Sequence, residues 1–292
     1  MRAVDTQIEH FSYAAPDDPA LKRLLIRAIE RMSGQPYLKH LYHAHRHDLR
    51  PGENFWALAV RHLRLKVMFN DEGLARIPRQ GPLVVVANHP YGVLDGIVIS
   101  HLIATVRDDF LVLTNSMLYR AEEIRSYMLP VDFSETKEAL EVNIKSRAEA
   151  KAHLMRGGCL VIFPAGGAST TPKPWSRRAI DAEWKTLTAR LISQAKAPVL
   201  PVYFSGQNSR LFQIASHISM TLRLALFFKE VYDRIGTEIH LRIGRLIHFE
   251  ELAKLERKAF MRHLREITYD MSAHTPNPPR RKLPRRHKRV PA

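Results

Sequence analysis

His89 and Asp95 stand in the stretch Leu83-Val-Val-Val-Ala-Asn-His-Pro-Tyr-Gly-Val-Leu-Asp-Gly96, where a β-branched apolar run gives way to polar residues. Imidazole near neutral pH accepts a hydroxyl proton, and a carboxylate on its other nitrogen fixes the tautomer and stabilises the imidazolium. General-base help of this kind is worth about 10²–10⁴-fold in rate. In one continuous helix, positions six apart lie about 120° out of alignment, so the two side chains would not meet. A strand–turn–helix folds them back toward each other, and Pro90 and Gly92 supply the turn. The same residues would also serve as an ordinary strand end followed by a helix-capping aspartate, so the pair does not carry an enzymatic reading alone.

A second stretch has the same construction. Leu160-Val-Ile-Phe-Pro-Ala-Gly-Gly-Ala-Ser-Thr170 is an apolar run that ends in a Pro/Gly turn with hydroxyls behind it. Gly166 and Gly167 allow a close backbone approach and can aim N–H groups at an anion. Lys173, Arg177 and Arg178 follow at once.

The elements that must hold these loops follow from periodicity. Short apolar, β-branched runs at Leu83–Ala87, Phe110–Thr114, Cys159–Phe163, Pro198–Phe204 and Ile239–Ile243 read as strands. Helical patterns fall between them, at Gly96–Val106, Ser134–Arg156, Ala179–Lys196 and Leu211–Arg234. Alternating strands and helices predict an α/β domain over 79–272, its mostly parallel sheet covered by helices, with chemistry in the loops leaving the strands' carboxyl ends. Residues 1–78 lack alternating strand patterns and are expected to form a helical, membrane-associating segment, with helices at Asp17–Met32 and Asn54–Phe69. The second of these mixes Phe55, Trp56, Leu58 and Leu63 with Arg61, Arg64 and Lys66, as a helix lying in a bilayer interface does. Residues 273–292 are proline-rich and basic and are expected to be a disordered tail, with seven cations and no acid between His274 and Ala292.

Composition bounds the partners. With 45% hydrophobic residues in 292, the chain can bury a sizeable core, and 45 Lys+Arg against 29 Asp+Glu give a formal net charge of +16. That charge implies an anionic partner: lipid headgroups, an acidic carrier protein or nucleic acid. No helix-turn-helix, zinc or RNA-binding signature accompanies it, so nucleic acid is not expected. The single cysteine, Cys159, excludes an intrachain disulfide and sits in an apolar run, as a core residue would. His40, His43, His45 and His47 cluster with Asp48 but without a thiolate or paired carboxylate, so no metal site is expected. No stretch reads as a transmembrane helix, and the N-terminus does not look like a secretion signal.

In order along the chain, Asn88-His89 with Asp95, then Phe163-Pro-Ala-Gly-Gly-Ala-Ser169, then Val199-Leu-Pro-Val202, resemble the motifs of the glycerolipid and lysophospholipid acyltransferases. The resemblance covers roughly residues 81–206. Two departures, five residues between His89 and Asp95 rather than four and Ala165 where glutamate is usual, are similar to a bacterial branch named for haemolysins and lyso-ornithine-lipid acyltransferases. Ser205-Gly-Gln-Asn-Ser-Arg-Leu-Phe212 resembles that branch too. The family's second block, which carries an acceptor-binding arginine, would fall at Leu129–Phe133, where this chain has none. The resemblance implies transfer of a fatty acyl group from acyl carrier protein or acyl-coenzyme A to the hydroxyl of a lyso-lipid, of the lyso-ornithine or lysophosphatidate type. It implies His89 and Asp95 as the catalytic pair. It also implies Asn88, Gly92, Phe163, Pro164, Gly166, Gly167, Ser169, Lys173 and Arg210 as substrate contacts, with no bound cofactor. The expected location is an anionic surface at the cytoplasmic face of the cell membrane, peripheral or monotopic. The competing expectations are a basic nucleic-acid-binding protein and a non-catalytic, haemolysin-like lipid-binding protein.

Overall fold

The computed structural model describes residues 19–115, 122–132 and 136–279. In chain order they form α1 (Ala20–Met32), α2 (Gln35–His45), α3 (Phe55–His62), β1 (Lys66–Met68), α4 (Glu72–Ala75), β2 (Leu83–Ala87), α5 (Val93–Ala104), β3 (Phe110–Asn115), β4 (Met128–Val131) and α6 (Lys137–Met155). Then come β5 (Cys159–Ile162), α7 (Leu187–Ala195), β6 (Val199–Phe204), α8 (Arg210–Ile218), α9 (Met220–Ala225), α10 (Phe227–Asp233), β7 (Glu238–Ile243), α11 (Phe249–Leu252) and α12 (Arg257–Asp270).

The strands make one seven-stranded sheet in the order β1-β7-β6-β2-β5-β3-β4. From β6 to β4 the strands run parallel, β7 pairs antiparallel with β6, and β1 follows β7. A strand covered on both faces needs an unbroken apolar run, and β2 is buried at every position. Leu83, Val85 and Ala87 face a core made with Leu94, Val98 and Leu102 of α5. Val84 and Val86 face the opposite core, built from Leu154 of α6, Ile192 of α7, and Phe260 and Leu264 of α12. Each such side chain contributes roughly 1.5–3 kcal/mol when removed from water, which makes β2 the axis of the fold. The carboxyl ends of β5, β2 and β6 therefore lie side by side, and both motif loops leave from this edge.

Four expectations need correction. The pattern over Asn54–Phe69 is not one helix: α3 ends at His62, Arg64 takes a left-handed φ of 51°, and β1 then joins the sheet beside β7. Trp56 sits in the main core at 2% exposed, its ring 6.3 Å from Phe110 and 6.0 Å from Tyr127, so it does not face a bilayer. The pattern over Ala179–Lys196 yields only α7, because the backbone of Asp181 is held by Tyr269 Oη and Arg265 instead of a helical ladder. The pattern over Leu211–Arg234 breaks into three helices, the first break falling at Ser219 in extended conformation. Finally, the part of the tail up to Pro279 packs on the body: Ser205 Oγ donates to Asn277 Oδ1 at 3.2 Å and Arg242 to the His274 carbonyl at 3.1 Å. The seven tail cations lie outside the described residues.

A buried indole and a surface indole respond differently to truncation. Trp56→Ala is expected to lower unfolding free energy by about 3–5 kcal/mol in a urea titration, whereas an interface-lying helix position would change it by only about 0.5 kcal/mol.

Candidate active site

Asp95 lies in the first turn of α5, and its side chain is fully buried. The tight turn before it is possible because Gly92 adopts φ 78°; a Cβ there would also stand 2.4 Å from Phe227. The turn aims two backbone donors at one carboxylate oxygen, Oδ2, which accepts from Tyr91 N–H at 2.8 Å and Gly92 N–H at 2.9 Å. His89 Nδ1 stands 3.1 Å from the same oxygen. The pair is in ion-pair range, with Nδ1 outside strict hydrogen-bond geometry. Burial pushes the Asp95 carboxyl pKa up from its ordinary value, and the His89 contact and the amides work against that rise. Nδ1 is buried while the His89 side chain as a whole keeps 18% exposure, so the rest of the ring is what solvent or substrate reaches.

Phe163, at the end of β5, stacks on the His89 ring with centroids 4.0 Å apart. The two motif loops are also tied through the backbone, since Ser169 N–H donates to the His89 carbonyl at 2.7 Å. The residue that joins them most firmly is Asp181. Its Oδ1 accepts from His89 N–H at 3.1 Å and from Ser169 Oγ–H at 2.5 Å, while Oδ2 accepts from the Trp184 indole at 2.9 Å. Periodicity had absorbed Asp181 into a helix. Its one visible signal was being the sole acid between Pro164 and Ala182.

Several residues expected to touch substrate make contacts within the scaffold. The Asn88 amide is buried and clamps β6, donating to the Phe204 carbonyl at 2.8 Å and accepting from Phe204 N–H at 2.7 Å. Gly92 serves the Asp95 turn, and Pro164 is buried with its carbonyl accepting from Lys185 N–H. Gly166 N–H closes a turn on the Phe163 carbonyl, so it is not available to an anion; Gly167 N–H has no acceptor among the described residues. Ser169 is buried on Asp181. Arg210 grips the carbonyls of Pro174 and Ser176, and Lys173 lies over the Trp175 ring. None of these last three contacts would have been legible without the fold.

Two cations missing from the expected set flank the glycines. The Lys185 ammonium stands 2.9 Å from where a Cβ on Gly166 would lie. Arg223 of α9 donates to the Ala168 carbonyl, 2.6 Å, and lies beside Gly167. Among the described residues no carboxylate pairs with it, and burial pushes its guanidinium pKa down. A desolvated cation without a counter-charge costs several kcal/mol, which an anionic ligand would offset.

The remaining reactive groups fall elsewhere. Burial raises the Cys159 thiol to about 12, as suits a core residue. The structure gathers His45 and Asp48 with His62, not with His43 or His47, and the Arg61 guanidinium 3.2 Å from His62 Nε2 opposes a cation there.

The acyltransferase family model matches residues 23–273. The chain belongs to the acyltransferase family. This acyltransferase is similar to the lyso-glycine lipid O-acyltransferase of Bacteroides thetaiotaomicron, with 23% identity over 80% of this chain and 88% of the relative. It is similar also to the lyso-glycine lipid O-acyltransferase of Phocaeicola vulgatus, with 22% identity over 80% of this chain and 86% of that one. Among solved structures, the 1-acyl-sn-glycerophosphate (LPA) acyltransferase PlsC of Thermotoga maritima aligns with a TM-score of 0.48 and 15% identity, covering 93% of this chain and 88% of that one.

Replacing Asp95 separates its two jobs. Asp95→Asn keeps an oxygen for the Tyr91 and Gly92 amides but removes the charge. A carboxyl with a raised folded-state pKa binds its proton more tightly in the native protein, so stability falls as pH climbs from the ordinary carboxylate range through the raised value. The Asn variant loses that dependence, so its melting temperature relative to wild type is expected to improve with rising pH, measured by thermal unfolding from pH 4 to 8.

Proposed function

We propose that this acyltransferase moves a fatty acyl group from an acyl thioester to the hydroxyl of a lyso-lipid, with His89 as general base and Asp95 as its orienting partner. The observation that carries this reading is the buried Asp95 oxygen 3.1 Å from His89 Nδ1, which favours the proton on Nδ1 and leaves the Nε2 lone pair for substrate. Nε2 takes the proton of the acceptor hydroxyl as its oxygen attacks the thioester carbonyl. The tetrahedral intermediate then collapses and expels the thiolate, which takes the proton from the imidazolium to leave as the thiol. Asp95 stabilises the imidazolium between these steps. Gly167 N–H, without an acceptor among the described residues, is a backbone donor for charge on the carbonyl oxygen or on the acceptor headgroup. The donor can be acyl carrier protein or acyl-coenzyme A, both of which are anionic and suit the basic chain.

The acceptor reading follows from Arg223. The two lyso-glycine lipid O-acyltransferases favour an amino-acid lipid, and Leu129–Asp132 offers no arginine for a phosphate. Arg223, set against the glycine loop, supplies the cation that the carboxylate of such a headgroup requires.

The central test is His89→Ala, with circular dichroism to verify folding: acyl transfer is expected to fall by about 10²–10⁴-fold, and full activity would remove His89 from the mechanism. Arg223→Gln is expected to raise KM for the lyso-lipid by about 10–100-fold, the worth of a charge-assisted hydrogen bond, with little change in KM for the thioester; Arg223→Lys should recover part of it. Comparing lipid extracts of cells with and without the protein identifies the acceptor as the lyso-lipid that accumulates in its absence.

A further inference from the structure

The outer face of α8 is apolar and uncovered. Leu211, Ile214 and Ile218, spaced to share one side of the helix, are exposed, Ile218 at 70%, while Phe212, Gln213 and Ala215 are buried on the other side. Met220, at the start of α9, extends this surface, and α1, packed on α9, adds exposed Leu24. Beside α8 lies Trp175, 72% exposed, on a turn that Arg210 pins by gripping the carbonyls of Pro174 and Ser176. A large indole held in water by a dedicated contact has no packing role within the fold.

Charge decides what covers this face. No acidic residue occurs from Pro164 to Ile180 or from Ser205 to Lys229, whereas Lys173, Arg177, Arg178 and Arg210 fall within those segments. A second copy of the chain related by a two-fold axis would bring these cations against one another. An apolar helix face with tryptophan beside it and cations but no acids in its flanking segments is the pattern of an interfacial helix on anionic lipid. The other exposed apolar pair of neighbouring helical turns, Leu140 and Ile144 on α6, has Glu138 and Glu141 beside it and does not show this pattern. Among the described residues no helix is long and apolar enough to cross a membrane, so contact through this face would be from one side. On the inner side of α9, Arg223 reaches the glycine loop, which sets the docking face and the proposed headgroup contact on one short helix.

We infer that α8, the start of α9 and the Trp175 turn form the surface by which the protein seats on an anionic bilayer, presenting the glycine-loop cleft to the lipid headgroups. The inference draws on the acyl-transfer reading only for what the docking achieves. The binding itself is measured without substrate, so either can fail alone.

The chain contains three tryptophans, and Trp56 and Trp184 are buried at 2%, so exposed-indole fluorescence reports Trp175. With vesicles of mixed phosphatidylglycerol and phosphatidylcholine, emission of the full-length protein should shift to the blue, and brominated acyl chains should quench it. Trp175→Phe should abolish the quenching while the protein still sediments with the vesicles. Ile218→Glu combined with Met220→Glu should weaken vesicle partition by about tenfold or more. The same double variant should transfer acyl groups to detergent-dispersed acceptor at the wild-type rate and lose transfer to vesicle-embedded acceptor. Quenching that is absent in the wild type, or unchanged in the double variant, overturns the proposal. So does a blue shift that follows protein concentration without vesicles, which would mark a self-association surface, or one produced by an acidic carrier protein alone.

Discussion

A single carboxylate oxygen, Oδ2 of Asp95, receives the backbone amides of Tyr91 and Gly92 and faces the imidazole of His89. Burying that carboxylate is unfavourable by itself, and only the convergence of donors on it makes the position tenable. The same convergence shapes the turn that brings residue 89 back over residue 95. Gly92 is part of this arrangement twice over, by its left-handed φ and by the Phe227 ring that leaves no room for a Cβ. One buried carboxylate oxygen thus holds the loop and meets the imidazole with a single set of contacts.

Around this centre, polar side chains lock three strand ends together. Asn88 fastens the end of β2 to β6 through Phe204, Tyr91 Oη–H donates to the Ser205 carbonyl at 2.6 Å, and Asp181 fastens the His89 loop to the glycine loop. All but the half-buried His89 N–H bond form among buried groups, where a missing partner costs about 1–3 kcal/mol. The site is therefore preorganised by its supports. Arg223, a desolvated cation with no acid opposite among the described residues, lies beside Gly167, whose amide has no acceptor among them.

Much of this was legible in the residues. The apolar β-branched runs marked β2, β3, β5, β6 and β7 to within a residue or so, because a strand buried on both faces has no polar alternative to offer. The meeting of His89 with Asp95 followed from the Pro and Gly between them. The misses share a cause. Helical periodicity continued through Ser219, which carries no Pro or Gly to announce the break, and through Asp181, whose backbone finds partners on α12. In both places contacts distant in sequence override a local preference.

The sequence by itself determined the sheet-forming runs, the two loops that leave them and the acid–imidazole pair, since burial patterns, turn residues and proton chemistry are local properties. The tertiary structure decided which partners the neighbouring polar groups take. Asn88, Pro164, Ser169 and Arg210 turn to the scaffold, while Arg223 and Lys185, from later segments of the chain, arrive at the glycines. It also decided which helix face stays wet: Trp56 went into the core and Trp175 to the surface. A side chain's partners depend on which strands stand side by side, and that order is set by packing across the whole sheet rather than by any stretch of chain.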